Sequence, residues 1–121
     1  MVDADVISRA IWFHGTWRQK LRSAIDIGHS HLSAERVASD RDCEFGAWLY
    51  SLPPEERASE HWSLVQTRHA EFHAEAARVL ALALNGGKAE AEKAFTRGSE
   101  FRRCAAALTE ALMHWKHMAN R

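Results

Sequence analysis

The chain has 121 residues, 46% of them hydrophobic and 26% charged, which suits one soluble domain, residues 1–121, around a single core. Lys plus Arg balance Asp plus Glu at 16 each, so no nucleic-acid surface is expected. No apolar run is long enough to span a membrane, the acidic start Met-Val-Asp-Ala-Asp is unlike a signal peptide, and a cytoplasmic location with both cysteines reduced is expected.

In chain order the spacing of apolar residues predicts helices almost throughout. The first is expected from about Ala4 to Ile27, with a stripe Ile7, Ala10, His14, Trp17, Leu21, Ala24, Gly28 that alternates steps of three and four. His14 holds a place in that stripe that an apolar residue would normally fill. Gly28 is expected to end the helix. Residues 29–40 read either as a short helix from Ser33 or as a connection. A short helix is expected near Asp42 to Ser51, carrying Cys43, Phe45, Trp48 and Leu49 and stopped by Pro53 and Pro54. A long helix follows from near Ser59 to Leu84, with the stripe Trp62, Val65, His69, Phe72, Ala76, Val79, Ala83. After Gly86 and Gly87 a last helix is expected to Met118, about 45 Å long at 1.5 Å per residue. Its stripe reads Ala91, Ala94, Gly98, Phe101, Ala105, Leu108, Leu112, Trp115, Ala119. The fold class is therefore all-α: an antiparallel helical bundle of three long helices plus a short Cys-bearing helix, with apolar surface left for a partner subunit.

His14, Cys43, His69 and His73 stand out chemically. His69 and His73 are four apart, so a helix points them the same way. Buried imidazoles without partners cost on the order of a few kcal/mol, and metal coordination removes that cost. Zinc prefers tetrahedral sets of thiolate and imidazole, and Cys43, at a helix start, is placed to be a thiolate. Asp40 or Asp42 is expected to cap the short helix or to accept a hydrogen bond from a ligand histidine. By spacing alone, hydrogen-bonded core histidines and a metal site both remain open.

Three blocks narrow this. Phe13-His14-Gly15-Thr16-Trp17, Cys43-Glu44-Phe45-Gly46-Ala47-Trp48-Leu49-Tyr50 and His69-Ala70-Glu71-Phe72-His73 occur in order over residues 13–73. Together they resemble the chemoreceptor zinc-binding (CZB) domain family, whose pattern is a His shortly before a Trp, then Cys-x-[Leu/Phe]-Gly-x-Trp-[Leu/Ile], then His-x-x-x-His. The resemblance implies a helical-bundle Zn2+ domain, usually a homodimer, with His14, Cys43, His69 and His73 as ligands. It implies a regulatory role in bacterial signalling, through a chemoreceptor or a diguanylate cyclase and cyclic-di-GMP, responding to zinc or to thiol oxidation by hypochlorous acid. The chain shows neither a long coiled-coil signalling region nor a cyclase domain, so a stand-alone member or a fragment is expected. A zinc-stabilised dimerisation module without a sensing role is the alternative.

No catalytic residue is expected. Ala70 follows His69 where a zinc protease would need Glu, and four protein ligands leave no open position for a substrate. His29, His31, His61, His114 and His117 read as surface residues, and Arg18, Arg22 and Arg68 as solvated or salt-bridged. Cys104 reads as a small core or boundary residue, and the five tryptophans as core and interface.

Overall fold

A computed structural model describes residues 2–119, all helices and connections among those residues. The first predicted helix is two helices. Helix α1, Ala4–Gly15, starts on Asp3, whose carboxylate accepts the Asp5 amide at 2.9 Å. Helix α2, Trp17–Ile27, follows after one residue and ends at Gly28, which takes a left-handed φ of 84°. The joint is Thr16. Its hydroxyl donates to the Phe13 carbonyl at 2.6 Å, and its amide divides between the Trp12 and Phe13 carbonyls. A threonine hydroxyl competing for a helical carbonyl bends the helix without unwinding it. The stripe therefore survives the joint: Ile7, Ala10, His14, Trp17, Leu21 and Ala24 are all buried.

Of the two readings for residues 29–40, the short helix holds. Helix α3, Ala34–Val37, is capped by the Ser33 hydroxyl, which accepts from the Arg36 amide. Helix α4, Glu44–Ser51, is followed by the one-turn helix α5, Pro54–Arg57, with its proline in the first turn. Helix α6, Glu60–Leu84, opens on Ser59, whose hydroxyl accepts from the Trp62 amide at 3.1 Å.

The last predicted helix is also divided. Helix α7, Lys88–Glu92, runs into a 3-10 turn, Lys93–Phe95, and helix α8 spans Glu100–Ala119. Three local features stop it. The Thr96 hydroxyl takes the Lys93 carbonyl, the Ser99 hydroxyl takes the Ala94 carbonyl, and Gly98 adopts φ of 80°. Helix α8 is thus about 30 Å long by helical rise, not the expected 45 Å. Beyond the break Phe101, Leu108, Leu112 and Trp115 resume the predicted stripe and are buried.

Helix α6 is central and packs against α8, α2, α3 and α4. It runs antiparallel to α8, since Phe72 meets Phe101 while His61, earlier in α6, meets His114, later in α8. Against α2 the direction differs from the antiparallel expectation. His14 meets His69, Trp17 meets His73, and Arg22 pairs with Glu92 beyond the end of α6. These contacts advance together, so α2 and α6 run the same way. The return path is the segment 28–59, which holds α3, α4 and α5. It brings Cys43 to the level of His14, His69 and His73.

The core is apolar and closely filled. Ile7, Leu21, Leu49, Phe72, Leu80, Leu108 and Leu112 are among its fully buried members, each stabilising the fold by about 1.5–3 kcal/mol relative to exposure. Three polar side chains interrupt it: His14, His69 and His73, at 6%, 0% and 2% exposure. Among the described residues no helix is long and apolar enough to cross a membrane.

Candidate metal centre

Helix α1 brings His14 inward from its last turn. Helix α6 brings His69 and His73 inward one turn apart. Cys43 is the N-cap of α4, with its sulfur accepting the Gly46 amide at 3.3 Å. This placement corrects the expected role of the acids, since neither Asp40 nor Asp42 caps α4. Asp40 instead accepts the Tyr50 hydroxyl at 2.5 Å, and Gln66 of α6 donates to the same hydroxyl at 3.1 Å. The Trp62 indole donates to the Leu49 carbonyl at 2.9 Å. Together these bonds fasten α4, and with it Cys43, to α6.

All four candidate ligand atoms lie within 4.8 Å of one another. His14 Nε2 stands 3.3 Å from His73 Nε2 and 3.1 Å from His69 Nε2, and Cys43 Sγ stands 3.3 Å from His69 Nε2. A tetrahedral zinc ion with ordinary bond lengths has edges of roughly 3.3 Å between nitrogens and roughly 3.6 Å between nitrogen and sulfur. These three contacts are close to those values, and every other pair lies within 4.8 Å.

Protons decide what these short contacts are. His14 Nδ1 lies 2.8 Å from the Ala10 carbonyl and His73 Nδ1 lies 2.9 Å from the Val37 carbonyl. A carbonyl only accepts, so each Nδ1 carries the hydrogen and each Nε2 of the neutral ring presents a lone pair. The 3.3 Å contact between the two Nε2 atoms then sets lone pair against lone pair. A proton on His69 Nε2 relieves one contact at most. A cation at the centre relieves them all. The two carbonyls also orient the rings as acceptors behind metal-bound histidines do. His69 differs, because its buried Nδ1 has no hydrogen-bond partner among the described residues.

The surroundings favour neutral ligands. Burial lowers all three imidazoles, His14 to about 4 and His69 further. For His69 the neighbouring imidazoles add to the effect. Burial pushes the Cys43 thiol up, against the backbone amides that favour its anion; a cation at the centre opposes that rise. Phe45 and Phe72 wall the cluster, with ring centres 5.9 and 5.5 Å from that of His14. The Trp17 ring centre lies 6.4 Å from that of His73, whereas Trp48 sits against Phe45 and Trp115 with its ring tilted to both. A solvent-open cavity of about 400 Å3, rimmed by Lys20, Arg36 and Asp42, reaches Cys43 and His73.

The pH response follows from the burial. A histidine whose folded pKa lies below its unfolded value binds its proton more readily in the unfolded chain, so stability falls as pH falls through that window. For His14 the window runs from 6.5 down to about 4. Metal-free protein should lose on the order of 3 kcal/mol from His14 alone across it, measured by urea unfolding at successive pH values. A flat profile between pH 6.5 and 4 would contradict the neutral cluster.

The chemoreceptor zinc-binding domain model matches residues 14–80, more than half of the chain. The chain belongs to this family. No curated protein and no solved structure matches it significantly. The matched segment of this CZB domain begins at His14 and includes Cys43, His69 and His73. Sequence reasoning missed the Ala10 and Val37 carbonyls, which any residue type supplies, and the walls formed by Phe45 and Phe72. It quoted Gly46 without a role. The Cys-x-x-Gly spacing was the available signal, because a Cβ on that glycine would meet the Asp40 carbonyl oxygen at 1.7 Å.

Proposed function

We propose that this CZB domain is a zinc-responsive regulatory module whose ligands are His14, Cys43, His69 and His73. The observation that carries the reading is the convergence of three imidazoles and one thiol, their candidate ligand atoms all within 4.8 Å and three contacts at 3.1–3.3 Å, among buried residues. Zinc suits this donor set: three neutral imidazoles and one thiol that becomes a thiolate. When bound, the ion supplies charge that holds the thiolate and links α1, α4 and α6. The domain acts without catalysis, as a homodimer in the cytoplasm, on a chemoreceptor or diguanylate cyclase pathway. The exposed indole of Trp12 on α1, 72% accessible, supports a subunit contact.

Cys43 gives the centre a second input. Cys43 is part-buried and lines the open cavity. Attack of the thiolate on hypochlorous acid gives sulfenic acid and chloride, with sulfur oxidised by two electrons and chlorine reduced. The product is a poorer ligand, and the hold on α4 weakens.

Protein purified without added metal should carry one zinc per chain by elemental analysis. It should release that zinc on mild hypochlorous acid treatment, and Cys43→Ser should abolish oxidant-dependent release. Substoichiometric zinc unaffected by replacing His69 and His73 with Ala would remove the reading. Equal oxidant-driven release from Cys43→Ser would remove the redox input alone. A second reading, a zinc-stabilised dimerisation module, rests on the same exposed Trp12. It is favoured if zinc raises stability and dimer content while amide exchange outside the centre stays unchanged.

A further inference from the structure

Five histidines lie outside the centre: His29, His31, His61, His114 and His117. The fold pairs two of them. His61 lies in the first turn of α6 and His114 near the end of α8, and the antiparallel packing brings their rings together at 5.0 Å between centres. In the buried cluster the His14–His69 and His14–His73 pairs, whose Nε2 atoms lie 3.1 and 3.3 Å apart, have ring centres separated by 4.9 and 5.4 Å. The surface pair falls inside that range. His61 is half-buried and His114 exposed, so both rings can turn a nitrogen toward a common point and leave further positions to water.

We propose that His61 and His114 form a second site for a divalent transition ion of the zinc, nickel and copper class, which clips the start of α6 to the end of α8. Imidazole suits these ions, whereas calcium and magnesium demand oxygen ligands. The site is separate from the buried centre. His61 precedes His69 by eight residues, about 12 Å along the helix axis. Two protein ligands instead of four, in water, make it the weaker of the two. It fills only after the buried centre is loaded and so answers to a higher range of free zinc. Its ligands sit on the two helices that pack most extensively together, and occupancy resists their separation at that end.

The test is a calorimetric titration of the zinc-loaded protein with further zinc. A second equivalent is expected, on the order of 100-fold weaker than the first or more. It should disappear in His61→Asn and in His114→Asn, while both variants keep the first equivalent, which also shows that they are folded. His117→Asn should keep both. Binding that stops at one equivalent, or a second equivalent that survives loss of His61 or His114, overturns the proposal. A second equivalent lost equally in His117→Asn overturns the two-residue assignment. Absence of the first equivalent would strike the buried centre instead, so the two failures are distinguishable.

Discussion

Replacing His69 with Leu should weaken zinc binding by roughly a hundred- to a thousandfold, about a quarter of the free energy of a four-ligand site, while leaving the metal-free protein no less stable. The two effects point in different directions because His69 is paired only with other ligands. It is completely buried, its Nδ1 lacks a partner, and its Nε2 confronts those of His14 and the sulfur of Cys43. Burying an unsatisfied polar group costs about 1–3 kcal/mol. Leu is of similar size and has no such cost, and its methyl groups face Phe45, whose ring centre is 5.1 Å from that of His69. A histidine kept for core hydrogen bonding would behave in the opposite way, with lost stability and no metal phenotype. Chelator-competition titration and urea unfolding of the metal-free protein measure the two quantities. Zinc affinity within threefold of the parent, or a loss of more than about 2 kcal/mol in the metal-free form, would refute this assignment of His69.

Gly46→Ala should be among the most damaging single-methyl changes in the chain. A Cβ at this position would stand 1.7 Å from the Asp40 carbonyl oxygen and 2.9 Å from its carbon. Both are backbone atoms, so no rotamer change makes room. Helix α4 must move away from the turn before it, carrying Cys43 with it and drawing the sulfur away from His69 Nε2. Overpacking of this kind costs about 3 kcal/mol at the upper end of the ordinary range, and we expect zinc affinity to fall at least tenfold besides. Gly15→Ala is the internal comparison. A Cβ there meets nothing within 4 Å and lies in helical backbone, so it should stabilise by up to about 1 kcal/mol. Urea midpoints for the two variants decide the matter: equal midpoints would mean that the Asp40–Gly46 approach is not a constraint.

The buried faces were legible because three-and-four spacing survives local interruption. Ile7 through Ala24 and Val65 through Ala83 lie buried where the stripes put them, as do Phe101, Leu108, Leu112 and Trp115, with Ala105 only part-buried. Interruptions were less legible. Thr16 and Ser99 act through hydroxyl groups that take backbone carbonyls, and such residues are equally at home on a solvated helix face. Gly98 fell on the apolar register and was read through, although its left-handed backbone is what a break there requires. The direction of α2 relative to α6 was hidden because spacing describes each helix and not its neighbour. Of the candidate centre, residue types and the shared face of His69 and His73 were legible. The meeting of four atoms from three segments was not, since it depends on how 28–59 returns along the bundle. The Cys43 cap was missed for a chemical reason: Asp is the stronger capping residue, and two of them stood beside it.

The arrangement of ligands also bears on how the molecule assembles. His14 lies 59 residues from His73 and Cys43 lies 26 from His69, whereas His69 and His73 share one helix. Bringing distant segments together carries a loop-closure entropy that grows slowly with separation. The pair on α6 needs no closure at all; it exists once that stretch has coiled, which takes on the order of a microsecond or less. Zinc present during folding would therefore meet a two-histidine foothold before the bundle closes. Cys43 and His14 would complete the set as their segments dock. Metal added after folding must instead reach three imidazoles already buried in the core, so loading order becomes a property of the chain's history as well as of its affinity.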